Sequence, residues 1–295
     1  PAALARQPRL GGLRVVNPEA RLAEIVTALE AVGLSCLVMG GHAVRYYGLQ
    51  RNTNDYDLHL APDRWPDLPH LLRQSSLFLG QPVVEGPSWR PDSFRRFPIG
   101  RLADGREEWL EFWRSNHLLP PFAELFARRE EGSYGGRPLP FLGLPDLIRS
   151  KETERARDWQ DVAFLEEFLD ARLLAQVEQG RLALAQALEQ LRSRRGFESY
   201  WQKGYLTERS SIQEALTRTH LSITQAYLLP LHTDLPILPV TTVPIEPVIV
   251  NRLRTVTPVS PLHLVLVEAV RRQYKLAAQA ADRANKEAIR AAQKR

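Results

Sequence analysis

Residues 55–60 alternate strictly, with Asp55, Asp57 and His59 interleaved with Tyr56, Leu58 and Leu60. A period of two marks a strand with one wet face and one buried face. It sets the two carboxylates on the same side, a few ångströms apart. Like charges so placed repel, which is a poor way to stabilise a sheet. Upstream, Ser35–Met39 is a short apolar strand, Gly40-Gly41 a turn, and His42–Tyr47 a short helix closed by Gly48. Apolar strand, glycine turn, helix and acidic strand therefore follow one another in one continuous stretch.

Paired carboxylates are well suited to divalent cations. Mg²⁺ takes hard oxygen ligands and binds through one or two carboxylates together with substrate phosphates. Shared carboxylates in two-metal sites clamp the attacking and leaving oxygens of a phosphoryl displacement. A third carboxylate on a neighbouring strand completes such a site. Glu111 is the best candidate, on the alternating face Glu107, Trp109, Glu111 and Trp113, and Glu107 is second. Glycines allow a backbone to approach a triphosphate and present its N–H groups at a helix start, which makes Gly40 and Gly41 candidate nucleotide contacts. Arginine dominates the cations, with 34 Arg against 5 Lys, and Lys151 is the only lysine before Lys203. A compact ammonium kept in such a chain points to a specific contact. Gly-x-Ser-x-Gly, P-loop and Cys-x-x-Cys patterns are absent, and His42, His59 and His117 lack zinc-ligand spacing. Trp109 and Trp113 read as packing residues, with base stacking as the alternative.

Elsewhere the pattern predicts a helix from Asn17-Pro18 to about Val32, with Leu22, Ile25, Val26 and Leu29 inward, and a further helix from Pro62 to about Gln74. It predicts strands around residues 77–84, 94–99 and 107–113. Residues 120–170 read as helical, with one amphipathic helix from about Lys151 to Leu169. Residues 171–220 read as helical, interrupted at Gly180 and near Arg194-Arg195-Gly196. Seven prolines in residues 230–262 forbid a helix and predict an extended, packed segment. Helix resumes from about Leu262. The expected fold is α+β: a small mixed sheet with flanking helices, followed by a mainly helical region.

The run from Val38 to Leu58, with Gly40-Gly41, Gly48, Arg51-Asn52-Thr53 and Asp55-Tyr56-Asp57-Leu58, resembles the nucleotidyltransferase superfamily signature. It is closest to the branch of minimal nucleotidyltransferases and type IV abortive-infection toxins. A second stretch, Leu144 to Lys151 followed by Arg155, Arg157, Asp158 and Asp161, is similar to that family's Lys, Arg and Asp pattern. The resemblance covers roughly residues 20–170. It implies Mg²⁺ on Asp55, Asp57 and Glu111, although Glu111 stands where the family usually has Asp. It implies triphosphate along Gly40 and Gly41, and phosphate contacts from Arg51, Thr53, Lys151 and Arg155. For Arg155 and Asp158 a simple helix-face ion pair is the alternative. The implied activity is transfer of a nucleoside monophosphate from NTP to an acceptor hydroxyl. The acceptor is left open; RNA, such as the 3′ end of tRNA in a toxin–antitoxin or phage-defence setting with a cognate antitoxin as a candidate partner, is the first expectation. The alternatives are adenylylation of a partner protein and a catalytically silent binding module.

Composition bears on the acceptor. The net charge is +5 over 295 residues. Residues 1–170 carry 21 Lys/Arg against 24 Asp/Glu, and residues 171–295 carry 18 against 10. A catalytic part at 1–170 followed by a basic part at 171–295 suits a polyanion such as RNA. The single cysteine, Cys36, excludes an internal disulfide and reads as a core residue. No run approaches the length of a membrane span and residues 1–12 lack the apolar core of a secretory signal, so the expectation is a cytoplasmic protein without a membrane partner.

Overall fold

The fold is taken from a computed structural model, which describes residues 17–88, 90–101, 105–203, 222–231 and 245–294. It is α+β, as the sequence predicts, and divides into two compact units. The first comprises residues 1–46, 50–115 and 121–142, and the second comprises 47–49, 116–120 and 143–295. The sequence boundary at 170 marks where the recognisable motifs end, whereas the compact units separate at Leu142/Gly143.

The first unit opens with α1 (Pro18–Glu30). Asn17 caps it by accepting from Glu19 N at 2.9 Å, Pro18 starts it, and Leu22, Ile25, Val26 and Leu29 are buried. Six strands follow: β1 (Cys36–Val38), β2 (Asp55–Leu60), β3 (Phe94–Arg101), β4 (Glu107–Trp113), β5 (Glu130–Tyr134) and β6 (Arg137–Phe141). They form one mixed sheet in the order β3-β4-β2-β1-β6-β5. β1 lies inside the sheet, antiparallel to β2 and parallel to β6. It is buried throughout, which is why it reads as a plain apolar run. Burial pushes the Cys36 thiol up to about 12, as suits a core residue. The helices α2 (Gly40–Tyr46), α3 (Leu68–Gln74) and α4 (Phe122–Ala127) complete the unit.

Three local expectations change here. Residues 77–84 form no strand; Ser76–Phe78 is a 3-10 turn held by the Ser75 hydroxyl. The helix expected from Pro62 is a 3-10 turn, Pro62–Arg64, and becomes α3 only at Leu68. Residues 130–141, expected to be helical, are the β5–β6 hairpin. Its turn is Gly135-Gly136, both with positive φ, the signature of a two-residue hairpin. A Cβ on Gly135 would overlap the backbone carbonyl of Glu19.

The second unit is helical: α5 (Leu144–Lys151), α6 (Asp158–Glu178), α7 (Leu184–Gln190), α8 (Arg194–Gln202), α9 (Ser222–Leu228), α10 (Pro247–Leu253) and α11 (Pro261–Gln293). Its core includes Leu173, Leu191, Tyr200, Leu253 and Val267. The helix predicted from Lys151 to Leu169 is broken at 152–157. The break is held by Thr153, whose hydroxyl donates to Asp158 at 2.6 Å and whose carbonyl accepts from Trp159 Nε1 at 2.8 Å. Arg194-Arg195-Gly196 starts a helix rather than interrupting one, because Ser193 caps α8. Pro247 and Pro261 likewise occupy first helical turns, where a missing N–H costs nothing. Residues 232–244 of the proline-rich stretch and residues 204–220 of the expected helical region lie outside the described residues. No helix among those described is long and apolar enough to cross a membrane.

Glu152 and Glu166, buried in this unit, are compensated by cations, whereas burial pushes the Asp170 carboxyl up to about 7 in spite of its hydrogen bonds to Ser193 and the Arg192 amide. Glu152 accepts from Arg149 and Arg192, each at 2.5 Å, and from the Tyr274 hydroxyl at 2.9 Å. Glu166 pairs with Arg192 and Arg271. Burial alone would raise the Glu152 carboxyl. The charge of Arg192, with its hydrogen bond and that of Arg149, overcomes this and holds the group below the ordinary range. Asp282 is lowered in the same way by Lys286, the Glu154 amide and His117. A depressed carboxylate stabilises the fold fully above its unfolded value of roughly 4–4.5 and loses that contribution as pH falls through the folded value. Melting of the second unit is therefore expected to drop steeply below about pH 4.5. Glu152→Gln is expected to cost about 3–5 kcal/mol at neutral pH and to flatten the acid limb. Melts followed by circular dichroism from pH 7 to 3 check both, and an unchanged limb in the variant would contradict the assignment.

Candidate active site

The register between β2 and β4 assembles the site. The strands are parallel, with Asp57 opposite Glu111 and Asp55 opposite Trp109. On the other side of β4, antiparallel β3 sets Arg96 opposite Glu111. Directly paired residues share a face, so one row across three strands reads Arg96, Glu111, Asp57, with Asp55 two residues along β2. Tyr56, Leu58, Leu110 and Phe112 point the other way and are buried. His59 shares the acidic face, as its spacing predicts, but is covered, its ring 5.6 Å from that of Phe122 on α4.

Asp57 and Glu111 lie opposite each other in the register, so each carboxyl opposes the other's charge. Burial first, then the charges of Asp57 and Asp55, push Glu111 up to about 8 against the pull of Arg96. Trp113 Nε1 donates to Asp57 Oδ1 at 3.3 Å. Among the described residues no three His, Cys, Asp or Glu side chains surround a common point as a ready cation site. Burial and the crowding of like charges favour a proton on Glu111. In chemistry the donor set suits a hard divalent cation, whose entry would displace that proton. Glu107 lies exposed at the far end of β4, opposite Arg101.

Both glycines of the turn are buried. Gly40 has φ +63°, and a Cβ there would overlap the Asp57 carboxylate; a Cβ on Gly41 would overlap the Thr53 hydroxyl. The space left by the missing side chains is thus filled by Asp57 and Thr53. The Thr53 hydroxyl donates to the Asp55 carbonyl at 3.4 Å. The Arg51 carbonyl accepts from Arg45 Nη1 at 2.9 Å. Arg45 in turn pairs with Glu19 at 2.9 Å and donates to the Tyr134 hydroxyl at 3.3 Å. His42 meets the same hydroxyl at 3.0 Å and stacks on Tyr56. Burial, then the nearby Arg45, lowers its imidazole to about 4, so it is neutral at pH 7.

Lys151 and Arg155 belong to the second unit. Lys151 is 6% exposed, its Nζ 3.3 Å from Asp161 and 3.8 Å from Asp158. Arg155 Nε donates to Asp158 at 2.8 Å, the ion pair given as the alternative for these two residues. They do not share a helix face, because the break at 152–157 separates them. Sequence reasoning missed Arg45, which bolts the loop before the acidic strand, and Arg96. Arg45 lies inside the motif and could have been found there. Arg96 carried no signal until the β3–β4 register was known.

No family model matches the chain, and neither does any curated protein. Among solved structures it is similar to an antigenic nucleotidyltransferase-like protein from Paracoccidioides brasiliensis. That likeness is 18% identical, covers 51% of this chain and 77% of that one, and has a TM-score of 0.38. It is also similar to JHP933 from Helicobacter pylori, at 14% identity over 94% of this chain and 97% of that one, with a TM-score of 0.35. These overlaps are loose, and the reading of the site rests on its own residues.

Carboxylates crowded without a cation oppose folding. Glu111→Gln is expected to raise the cation-free melting temperature at neutral pH by about 2–4 °C. Scanning calorimetry in a chelator checks this; a lower melting temperature would mean that the trio stabilises the fold.

Proposed function

We propose that this chain is an Mg²⁺-dependent nucleotidyltransferase that moves a nucleoside monophosphate from NTP to an acceptor hydroxyl. One observation carries the reading. Asp55, Asp57 and Glu111 share one face of adjacent strands, with Asp57 seated against Gly40. A divalent cation held by these carboxylates supplies a lowered pKa for the acceptor hydroxyl and neutralises charge developing on the phosphoryl oxygens. The acceptor oxygen attacks the α-phosphorus and gives its proton to solvent water, while the α–β bond breaks and the bridging oxygen leaves with pyrophosphate. In this reading Gly40 and Gly41 at the start of α2, with Arg51 and Thr53, line the triphosphate.

RNA is the acceptor favoured by charge, since residues 171–295 hold 18 Lys/Arg against 10 Asp/Glu. The 3′ end of tRNA, in a toxin–antitoxin or defence setting with an antitoxin partner in the cytoplasm, is the specific form proposed. A second reading, a silent module that binds without transfer, is favoured by the burial and like-charge crowding opposite Asp57 that push the Glu111 carboxyl up to about 8.

Incubation with each α-labelled NTP, Mg²⁺, total RNA and lysate separates the readings. Label on RNA is expected, lost by at least about 10³-fold in Asp55→Ala. Label on a protein band would make the acceptor a protein hydroxyl. Labelling that Asp55→Ala leaves intact, or none at all, would sink the transferase reading. Gly40→Ala is expected to lower transfer comparably while the chain still folds, because its methyl must push Asp57 aside.

A further inference from the structure

Arg96 and Arg95 are chain neighbours on β3 with opposite circumstances. Arg95 is saturated: Nε and Nη2 grip Glu85 at 3.0 and 2.6 Å, and Nη1 donates to the Trp65 carbonyl at 3.3 Å. Arg96 points to the other face, beside Glu111. Its Cζ sits 4.2 Å from the centre of the Trp109 ring. Gly86 makes room for this stack, since a Cβ there would lie 2.6 Å from Trp109 Cζ3 and 3.3 Å from Arg96 Cγ. The same glycine donates its amide to the Arg96 carbonyl at 2.8 Å. The guanidinium is therefore packed against the ring, yet Nε is buried without an acceptor. Among the described residues, no group hydrogen-bonds or ion-pairs with the Arg96 side chain.

A buried donor without an acceptor is costly. An arginine fork so held, on the face of the carboxylate row, is preorganised for an arriving planar or tetrahedral anion. We infer that Arg96 is a phosphate-binding residue: its fork takes two oxygens of one phosphate group while Trp109 packs against it. The choice of phosphate rests on the nucleotidyl-transfer reading. Two sources share this chemistry, the triphosphate of the donor and a phosphodiester of the acceptor strand.

Wild type, Arg96→Met and Arg96→Lys test this as full chains, with thermal melts showing that each is folded. Equilibrium binding is measured for each NTP with Mg²⁺, for a single-stranded RNA ending in a 3′ hydroxyl, and for Mn²⁺ alone. Arg96→Met keeps a stem over Trp109 and is expected to weaken one phosphate ligand by about tenfold or more. Arg96→Lys keeps the charge without the fork and should recover only part of the loss. A loss confined to NTP assigns the donor's phosphates. A loss confined to RNA, with a salt slope reduced by about one, assigns the acceptor. Equal binding of both ligands by all three chains overturns the inference, as does a change in Mn²⁺ affinity alone, which would make Arg96 a brace for Glu111. Arg96-dependent binding without any transfer of label retires the transferase reading and leaves this site standing. A wild-type chain that binds neither ligand overturns both.

Discussion

The pairing of Asp57 with Glu111 across β2 and β4 is the constraint on which the first unit depends. It places two carboxyls side by side, with a third close by, where electrostatics alone would separate them. What holds them is the opposite face of the same strands. Leu58, Leu110 and Phe112 have no exposed surface, and each such side chain contributes roughly 1.5–3 kcal/mol by burial. A slip of one residue would turn Asp57 into the core and Leu58 outward. The apolar alternation that pins the register therefore pins the carboxylates too, and the sum over several large side chains exceeds the repulsion between partly screened charges.

The two units show contrasting ways of burying acid. In the second, Glu152, Glu166 and Asp170 are met by guanidinium groups, hydroxyls or amides; Asp170 alone accepts from two backbone amides and the Ser193 hydroxyl. Removing any partner there leaves an uncompensated charge, so the network holds helices together. In the first unit, Asp57 and Glu111 face each other, and Trp113 Nε1 is the donor that Asp57 meets. Groups whose neighbours oppose their ionisation are the pattern of sites that act on ligands rather than of sites that build the fold.

Legibility followed the range of the interactions involved. α1, β1, β2 and β4 could be read because cap, period and burial are local to each element. Glu111 could be placed because the alternation of β4 survives on both faces. The β5–β6 hairpin could not be read, because its strand segments are short and proline-bearing, Arg137-Pro138-Leu139-Pro140, and Gly135 is required by the distant Glu19 carbonyl. The break before Asp158 was hidden for the same reason: Glu154 N is held by Asp282, 128 residues away. The Ser193 cap was legible in principle, but a glycine three residues later masked it.

The same distinction bears on which cations serve an anion. Lys151 and Arg155 look like phosphate ligands in the sequence, and both already face carboxylates. Drawing Lys151 away from Asp158 and Asp161 would break a buried pair, at about 3–5 kcal/mol, unless an incoming phosphate replaced the whole interaction. Arg96 has no hydrogen bond or ion pair among the described residues for an anion to break, only the longer-range pull it exerts on Glu111. The Trp109 ring packed against its guanidinium also reduces how much must be ordered when an anion binds. A cation's suitability for a ligand is thus set by what it must abandon as much as by its charge, and only the sheet register reveals that.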